Sequence, residues 1–288
     1  MNQFVKTYLR ARRNARWANP EDHELESDLI DPLDKVMINP KLLYTIENPS
    51  EEVQLAAVEK DGGVINQIIT KFKMIPSEKV QMAAMKSNGG ALYHLIKHGI
   101  EPSEDVKLAA VENYPSMIEY IKSPSDKVIY ASIEGGNDGA IKYILAKYKN
   151  SESHLIAALQ KNGKAIQFIK KPSDKLKKIA LSQNGHAIHF IENPTEDLQL
   201  IAVKTHGTSI SDIIDKGIRP SEMVQMEAVK QNYDAIYWLQ EGGIEISEQV
   251  WLTALSHNGY ALEYIENPPE HYKEVAVKQN PKAITYVD

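Results

Sequence analysis

The stretch PSEEVQLAAVEKDGG, residues 49–63, decides the fold because its opening tripeptide returns along almost the whole chain. Proline, serine and an acidic residue stand together repeatedly, and relaxed copies of the same pattern fill the intervals. The copies begin at residues 49, 76, 102, 124, 150, 172, 194, 220, 246 and 268, so the steps are 27, 26, 22, 26, 22, 22, 26, 26 and 22 residues. A recurring period of this length is typical of a repeat array. We number the copies repeats 1 to 10.

Each repeat predicts two short helices joined by a tight turn. In repeat 7, Pro194 ends the preceding helix, Thr195 suits the N-cap, and Glu196 places negative charge at the start of the next helix. An Asn-Gly or Asp-Gly pair then marks a turn in many repeats, and a segment such as AIHFI at residues 187–191 forms the second helix. Helices this short are unstable alone. The sequence therefore predicts an all-α solenoid of about ten stacked two-helix repeats of 22–27 residues each.

Two features of the repeats make more detailed predictions. One position of the first helix is alanine in every repeat except repeat 4, where it is Ser132, and a position restricted to small residues predicts close approach of two helix backbones. The longer repeats carry four or five additional residues after the second helix, for example residues 98–101. Four residues correspond to about one helical turn. The addition either lengthens the second helix or widens the loop, and the sequence leaves both alternatives open.

Composition indicates an ordinary folded protein. The chain has 288 residues, of which 42% are hydrophobic, and it contains no cysteine, which excludes disulfides, thiolate catalysis and cysteine-ligated metals. We see no apolar run long enough to span a membrane and no signal-peptide pattern, so we expect no membrane partner, and the lack of cysteine favours a cytoplasmic protein. The net charge of -6 argues against a globally basic nucleic-acid binder.

Charge divides the N-terminal region from the repeats. Residues 1–20 contain Lys6 and four arginines but no acidic residue, whereas residues 21–34 contain seven acidic residues and no lysine or arginine. We interpret residues 1–36 as an N-terminal extension and cap, and residues 37–288 as the solenoid. The basic segment either caps the array, or contacts nucleic acid or an acidic partner, or binds a membrane surface. The candidate contact residues are Arg10, Arg12, Arg13 and Arg16.

The histidines and carboxylates do not predict an active site. His186 and His189 lie three residues apart, and His206 follows one repeat later. Because the first two occupy positions that vary between repeats, we interpret them as surface histidines and predict no metal site. The paired acidic residues stand at helix starts, where capping accounts for them. We therefore predict a protein that is not an enzyme and that has no cofactor.

Aromatic residues recur at one position of the second helix, and two interpretations are open. Core packing between successive repeats is the expectation, and Trp238 belongs to that set; an exposed strip that stacks nucleic-acid bases or binds an extended peptide is the alternative. Aromatic side chains at the variable positions are most frequent in repeats 8 and 9, which we predict to be the main partner-binding region. The recurrent aromatic residues are Tyr120, Tyr143, Phe168, Phe190, Trp238, Tyr264 and Tyr286. The predicted partner-binding residues are Tyr233, Tyr237, Trp251 and Tyr260.

Three segments carry a resemblance to a known class of repeat. PSEEVQLAAVEKDGG, NPTEDLQLIAVKTHG and NGHAIHFI resemble the short HEAT-like helix-hairpin repeats of uncharacterised bacterial and bacteriophage proteins. The resemblance covers about residues 37–288. It implies an α-solenoid and a bacterial or phage source, and it implies no enzymatic activity.

These observations predict a non-enzymatic protein that binds a protein partner. If the source is a phage, the resemblance implies an inhibitor or adaptor that binds a host protein in the host cytoplasm. The main alternative is a nucleic-acid-binding repeat protein that uses the basic N-terminal arm. A receptor for a small anionic ligand at the helix N-termini is a further alternative, which the acidic residues beside each cap oppose.

Overall fold

The computed structural model describes residues 31–286, and this part of the chain is helical without any strand. The described part of the chain divides into two compact units, unit 1 up to residue 140 and unit 2 from residue 141 onward. Within each unit, successive helix pairs pack against their neighbours in chain order. The predicted all-α helical-repeat fold is therefore confirmed. None of the helices in residues 31–286 combines the length and the apolar character that a membrane span requires.

The first helices of the repeats begin where the Pro-Ser-acid signal predicts. Serine is the N-cap residue in eight of them, and in seven its Oγ accepts a hydrogen bond from the backbone N–H three residues later, as Ser50 does from Val53. In unit 1 these helices are Glu51–Lys60, Glu78–Ser87, Glu104–Asn113 and Asp126–Glu134, and the helix Pro32–Ile38 precedes them. In unit 2 they are Glu152–Lys161, Asp174–Gln183, Glu196–Thr205, Glu222–Gln231, Glu248–His257 and Glu270–Gln279.

Close approach between repeats explains the restricted alanine position. Ala84 and Ala180 are completely buried. A Cβ on Gly62 of the preceding repeat would overlap the carbonyl oxygen of Ala84. A Cβ on Gly163 would overlap the carbonyl oxygen of Ala180 in the same way. The alanine of one first helix and the turn glycine of the previous repeat therefore share a contact with no room for an additional carbon atom. The predicted backbone approach is confirmed, and the turn glycine is its second component.

Hydrogen bonds also join neighbouring repeats at both ends of the first helix. At the N-terminal end, the N-cap Ser77 donates its hydroxyl to Glu51 of the preceding repeat. Four further serines make the equivalent bond to the first acidic residue of the preceding repeat. At the C-terminal end, the N–H of Gly163 donates to Gln183 Oε1 of the next repeat at 2.7 Å. The recurrent acidic residue is therefore an acceptor for the next repeat as well as a favourable charge at a helix start.

The second helices have two lengths, which resolves the open question about the additional residues. In the short repeats the second helix is a six-residue 3-10 helix, whereas in the longer repeats it continues as an α-helix. The 3-10 helices are Pro115–Tyr120, Gly163–Phe168, Gly185–Phe190, Gly259–Tyr264 and Pro281–Tyr286, and Pro40–Thr45 has the same form. The longer forms are Gly62–Val64 with Ile65–Thr70, Gly89–Ala91 with Leu92–Lys97, Asp138–Lys147, Gly207–Ser209 with Ile210–Asp215, and Ala235–Glu241. The additional residues thus lengthen the second helix.

The two forms of second helix also end differently. Three of the longer forms are followed by a glycine in the left-handed region, at Gly99, Gly217 and Gly243, which the absence of a Cβ permits. Several short forms are followed instead by a left-handed residue immediately before proline, as at Asn193, and asparagine tolerates that conformation. Four of the five longer repeats also contain a buried glutamine that donates to the proline carbonyl at the start of its own repeat, as Gln199 does to Pro194 at 3.0 Å. The left-handed glycine accompanies three of the five longer second helices, and the buried glutamine accompanies four of them.

Candidate functional site

The second helices of the C-terminal repeats place aromatic side chains in solvent. In repeat 8, Ala235, Ile236 and Leu239 are completely buried and supply the core-facing side of the second helix. Tyr237 and Trp238 consequently lie outside the core, with 44% and 39% of their surface exposed. Large aromatic groups exposed next to one another are a common feature of protein interfaces.

The expectation that the recurrent aromatic position packs in the core is wrong. Its members remain substantially exposed because the alanine, the isoleucine and the final isoleucine or leucine already fill the core-facing side of so short a helix. The sequence contained this signal, since three apolar positions are enough for a helix of six or seven residues. Five members are between 36% and 44% exposed, namely Tyr120, Phe168, Phe190, Trp238 and Tyr286.

In repeats 8 and 9 the rings contact one another. The centroids of Tyr237 and Trp238 are 5.0 Å apart in an edge-to-face arrangement, and those of Tyr233 and Tyr264 are 6.1 Å apart. The hydroxyl of Tyr264 donates a hydrogen bond to Asp234 Oδ1 at 3.1 Å, which links the second helices of repeats 8 and 9. These contacts hold the rings in defined positions before any partner arrives.

The predicted partner-binding residues fall into two groups. Tyr233 and Tyr260 are half-buried. The Tyr260 ring meets the Tyr286 ring edge to face, with the two ring centroids 6.1 Å apart. Together with Tyr237 they lie in the second-helix segments, whereas Trp251 lies in the first helix Glu248–His257 and packs against the core. Sequence reasoning assigned the two neighbouring rings, Trp238 and Tyr264, to the core, and it omitted the carboxylates beside them. We define the C-terminal aromatic surface as Tyr233, Tyr237, Trp238, Tyr260 and Tyr264 with the carboxylates of Asp234 and Glu263.

The segment that carries this surface is acidic. Residues 232–267 contain six Asp and Glu residues and no Lys or Arg. Burial raises the pKa of Tyr233, and the carboxylates of Glu263 and Asp234 shift it in the same direction. Burial and the hydrogen bond to Asp234 likewise raise the pKa of Tyr264. Both phenols therefore stay neutral at physiological pH, and the fixed charge of the surface is that of its carboxylates.

Aromatic rings elsewhere in the chain have a lysine close to them. In unit 2, the Lys142 ammonium lies 5.4 Å from the centre of the Phe168 ring, and Lys147 lies 5.2 Å from the centre of the Tyr143 ring. In unit 1, Lys97 lies 5.7 Å from the centre of the Tyr93 ring. Within residues 31–286, no lysine or arginine lies over a ring of the C-terminal aromatic surface.

A second group of polar side chains is specific to repeats 6 and 7. Asp212 occupies the recurrent aromatic position, and two histidine side chains lie close to its carboxylate. His186 Nδ1 lies 2.7 Å from Asp212 Oδ2, and His189 Nδ1 lies 3.4 Å from Asp212 Oδ1. His186 Nε2 lies 3.4 Å from Thr208 Oγ1. The two histidines were interpreted as surface residues; the His189 side chain is 57% exposed, and that of His186 is 33% exposed.

This cluster connects side chains of two neighbouring repeats. Its acid, imidazole and hydroxyl follow the order of a catalytic relay, and the 3.4 Å between His186 Nε2 and Thr208 Oγ1 is slightly longer than the 2.6–3.2 Å of a general base in contact with its proton donor. Among the described residues, no three His, Asp or Glu side chains are arranged to hold a metal ion. Burial lowers the pKa of the adjacent His206, and His186 and Lys164 add to that shift. The Nδ1 of His206 accepts the N–H of Gly185 at 3.1 Å, as the glutamines of other repeats do.

The remaining predicted contact residues lie outside the described part of the chain. Arg10, Arg12, Arg13 and Arg16 all precede residue 31. Comparison of the chain with protein-family models and with curated proteins finds no match.

Proposed function

We propose that this chain is a non-enzymatic repeat protein that binds a protein partner mainly through the C-terminal aromatic surface. The observation that supports the proposal is the exposure of Tyr237 and Trp238 side by side on a helix whose core-facing side is already complete. Tyrosine and tryptophan contribute large contact areas at low entropic cost, and they dominate the binding energy of many interfaces.

The charge of the surface favours a protein over a nucleic acid. Exposed rings also stack on unpaired bases, so the aromatic residues alone suit both partners. Nucleic-acid binding additionally requires cations beside the rings to neutralise phosphates. Residues 232–267 supply no lysine or arginine. They supply six carboxylates, and these repel a phosphate backbone. The resemblance to bacterial and phage repeats adds the prediction that the partner is a host protein in the host cytoplasm, where this chain acts as an inhibitor or adaptor.

Affinity capture tests the proposal with a matched pair of variants. The first variant carries Tyr237→Ala and Tyr260→Ala; the control carries Tyr44→Ala and Tyr130→Ala, which remove two exposed rings of unit 1. Immobilised wild-type protein and both variants are incubated with a bacterial lysate, and the retained proteins are quantified by mass spectrometry. We expect a protein that wild type and control retain and that the first variant loses, with unchanged melting temperatures. Equal retention by all three proteins would refute the proposal.

A further inference from the structure

Within residues 31–286, no lysine or arginine lies over the rings of the C-terminal aromatic surface, whereas several other rings of the chain have a lysine close to them. Lys142 stands near Phe168, and Lys97 stands near Tyr93, at 5.4 Å and 5.7 Å from the ring centres. The face of an aromatic ring is negative and attracts cations. Tyr237 and Trp238 are exposed to solvent and attract cations in the same way. No lysine or arginine of the described residues lies over either ring.

Carboxylates lie beside these rings and, like the ring faces, attract cations. Asp234 Oδ1 lies 3.1 Å from the Tyr264 hydroxyl, so its charge is fixed between the second helices of repeats 8 and 9. Glu263 is exposed on the neighbouring helix and acts electrostatically on Tyr233. A planar guanidinium can stack on an aromatic face and donate paired hydrogen bonds to a carboxylate at the same time, whereas a lysine ammonium is a strongly hydrated point charge.

We propose that the C-terminal aromatic surface binds an arginine-containing peptide segment of a partner protein. The proposal rests on the proposed function and specifies the chemistry of its partner. Guanidinium groups stack on the exposed rings of Tyr237 and Trp238 and pair with the carboxylates of Asp234 and Glu263. The surface discriminates against nucleic acid because its carboxylates repel phosphate. It prefers arginine to lysine because a planar guanidinium stacks on its aromatic rings.

Fluorescence anisotropy with defined peptides tests this proposal on the full chain. The probe is a fluorescein-labelled peptide of alternating arginine and glycine, and the matched probes replace arginine with lysine or with glutamine. We expect saturable binding of the arginine probe at about 150 mM salt, with an affinity roughly threefold or more above that for the lysine probe. Equal affinity for both cationic probes would reduce the effect to general electrostatic attraction and overturn the proposal.

Three variants locate the binding site. Asp234→Asn with Glu263→Gln removes two charges but retains an acceptor for Tyr264, and we expect it to weaken arginine-probe binding about fivefold or more. Tyr237→Ala with Trp238→Ala removes the rings and should have an effect of at least that size. Glu52→Gln with Glu59→Gln removes two exposed carboxylates from a first helix of unit 1 and should leave binding unchanged. Equal weakening in all three variants would contradict the proposal.

Two further probes decide between the occupants of the surface. Binding of a labelled single-stranded oligonucleotide that is lost in the Tyr237→Ala, Trp238→Ala variant would show that the surface stacks bases and would overturn the proposal. Self-association of the wild type, measured by light scattering and abolished in that same variant, would identify a second copy as the occupant and overturn it too. If capture from lysate depends on Tyr237 and Tyr260 but the arginine probe does not bind, this inference fails while the proposed function stands.

Discussion

At the scale of single residues, the repeats are defined by positions where no side chain fits. Gly62 shows this most clearly, because a Cβ at this residue would overlap the carbonyl oxygen of Ala84 in the next repeat. The adjacent Gly63 offers a matched control: its nearest neighbour would be the Asp61 carboxylate oxygen at 3.1 Å, with no backbone atom in the way. The sequence predicted a close backbone approach at the recurrent alanine, since that position holds a small residue in every repeat. It did not predict the glycine contact, because that contact depends on the register between repeats.

The glycine contact leads to the first prediction. Gly62→Ala should destabilise the protein by about 1–3 kcal/mol, since the added methyl group forces two backbones apart. Gly63→Ala should change the free energy of unfolding by no more than about 0.5 kcal/mol. Urea unfolding followed by circular dichroism measures both values. Similar losses in the two variants would show that the close contact is not what excludes a side chain at Gly62.

His206 predicts a dependence of stability on pH. Its pKa is lowered in the folded protein, chiefly by burial, so the unfolded chain binds more protons as pH falls through the ordinary histidine value of about 6.5. Stability is therefore lost as pH falls. Protonation also blocks Nδ1, which accepts the N–H of Gly185. Thr205→Gln with His206→Asn recreates the Gln183-Asn184 pair of repeat 6, whose glutamine accepts the equivalent glycine N–H and does not titrate.

Melting temperatures between pH 7.5 and pH 5.5 test this dependence. The wild type should lose more stability over that interval than the Thr205→Gln, His206→Asn variant does. Thr205→Gln alone keeps His206 and should follow the wild type. Parallel curves for all three proteins would mean that His206 does not couple stability to pH.

At the scale of elements, the sequence predicted two helices per repeat and their N-caps, because proline, serine and asparagine act locally. It could not decide how the additional residues of the longer repeats are used. In the structure, a left-handed glycine such as Gly217 follows three of the five longer forms, and a left-handed residue before proline such as Asn193 follows several short forms. It also could not reveal the hydrogen bonds between repeats, such as that from Ser221 to Glu196, because these form only when first helices stack in register.

The N-cap serines have two roles, which predicts a graded effect of mutation. Ser221 accepts the N–H of Val224 at 3.4 Å and donates to Glu196, whereas Thr195 makes no side-chain capping bond. Ser221→Ala should therefore destabilise the protein by about 1 kcal/mol, and Thr195→Ala by less than about 0.5 kcal/mol. Thermal unfolding of the two variants measures the difference. An equal or larger loss at Thr195 would contradict the structural role of the serine–glutamate bonds.

At the scale of the whole molecule, repetition made the fold predictable but concealed the exposed surface. A recurrent aromatic position has the same spacing whether its rings pack in the core or face solvent, so Trp238 was assigned to the core from its pattern alone. Three of the predicted contact residues, Tyr233, Tyr237 and Tyr260, lie in second-helix segments, and Trp251 lies on a first helix. The carboxylate of Asp234 escaped notice because its link to Tyr264 spans two repeats.

Site-specific photo-crosslinking tests the central claim, that the second helices of repeats 8 and 9 form the partner-binding surface. A benzophenone amino acid replaces Tyr237 or Tyr260 in one pair of proteins, and it replaces the exposed Tyr130 of unit 1 in the control. After irradiation in a bacterial lysate, crosslinked products are identified by mass spectrometry. The account predicts that positions 237 and 260 capture the same protein and that position 130 does not. A product formed at position 130 but at neither of the other two would contradict it.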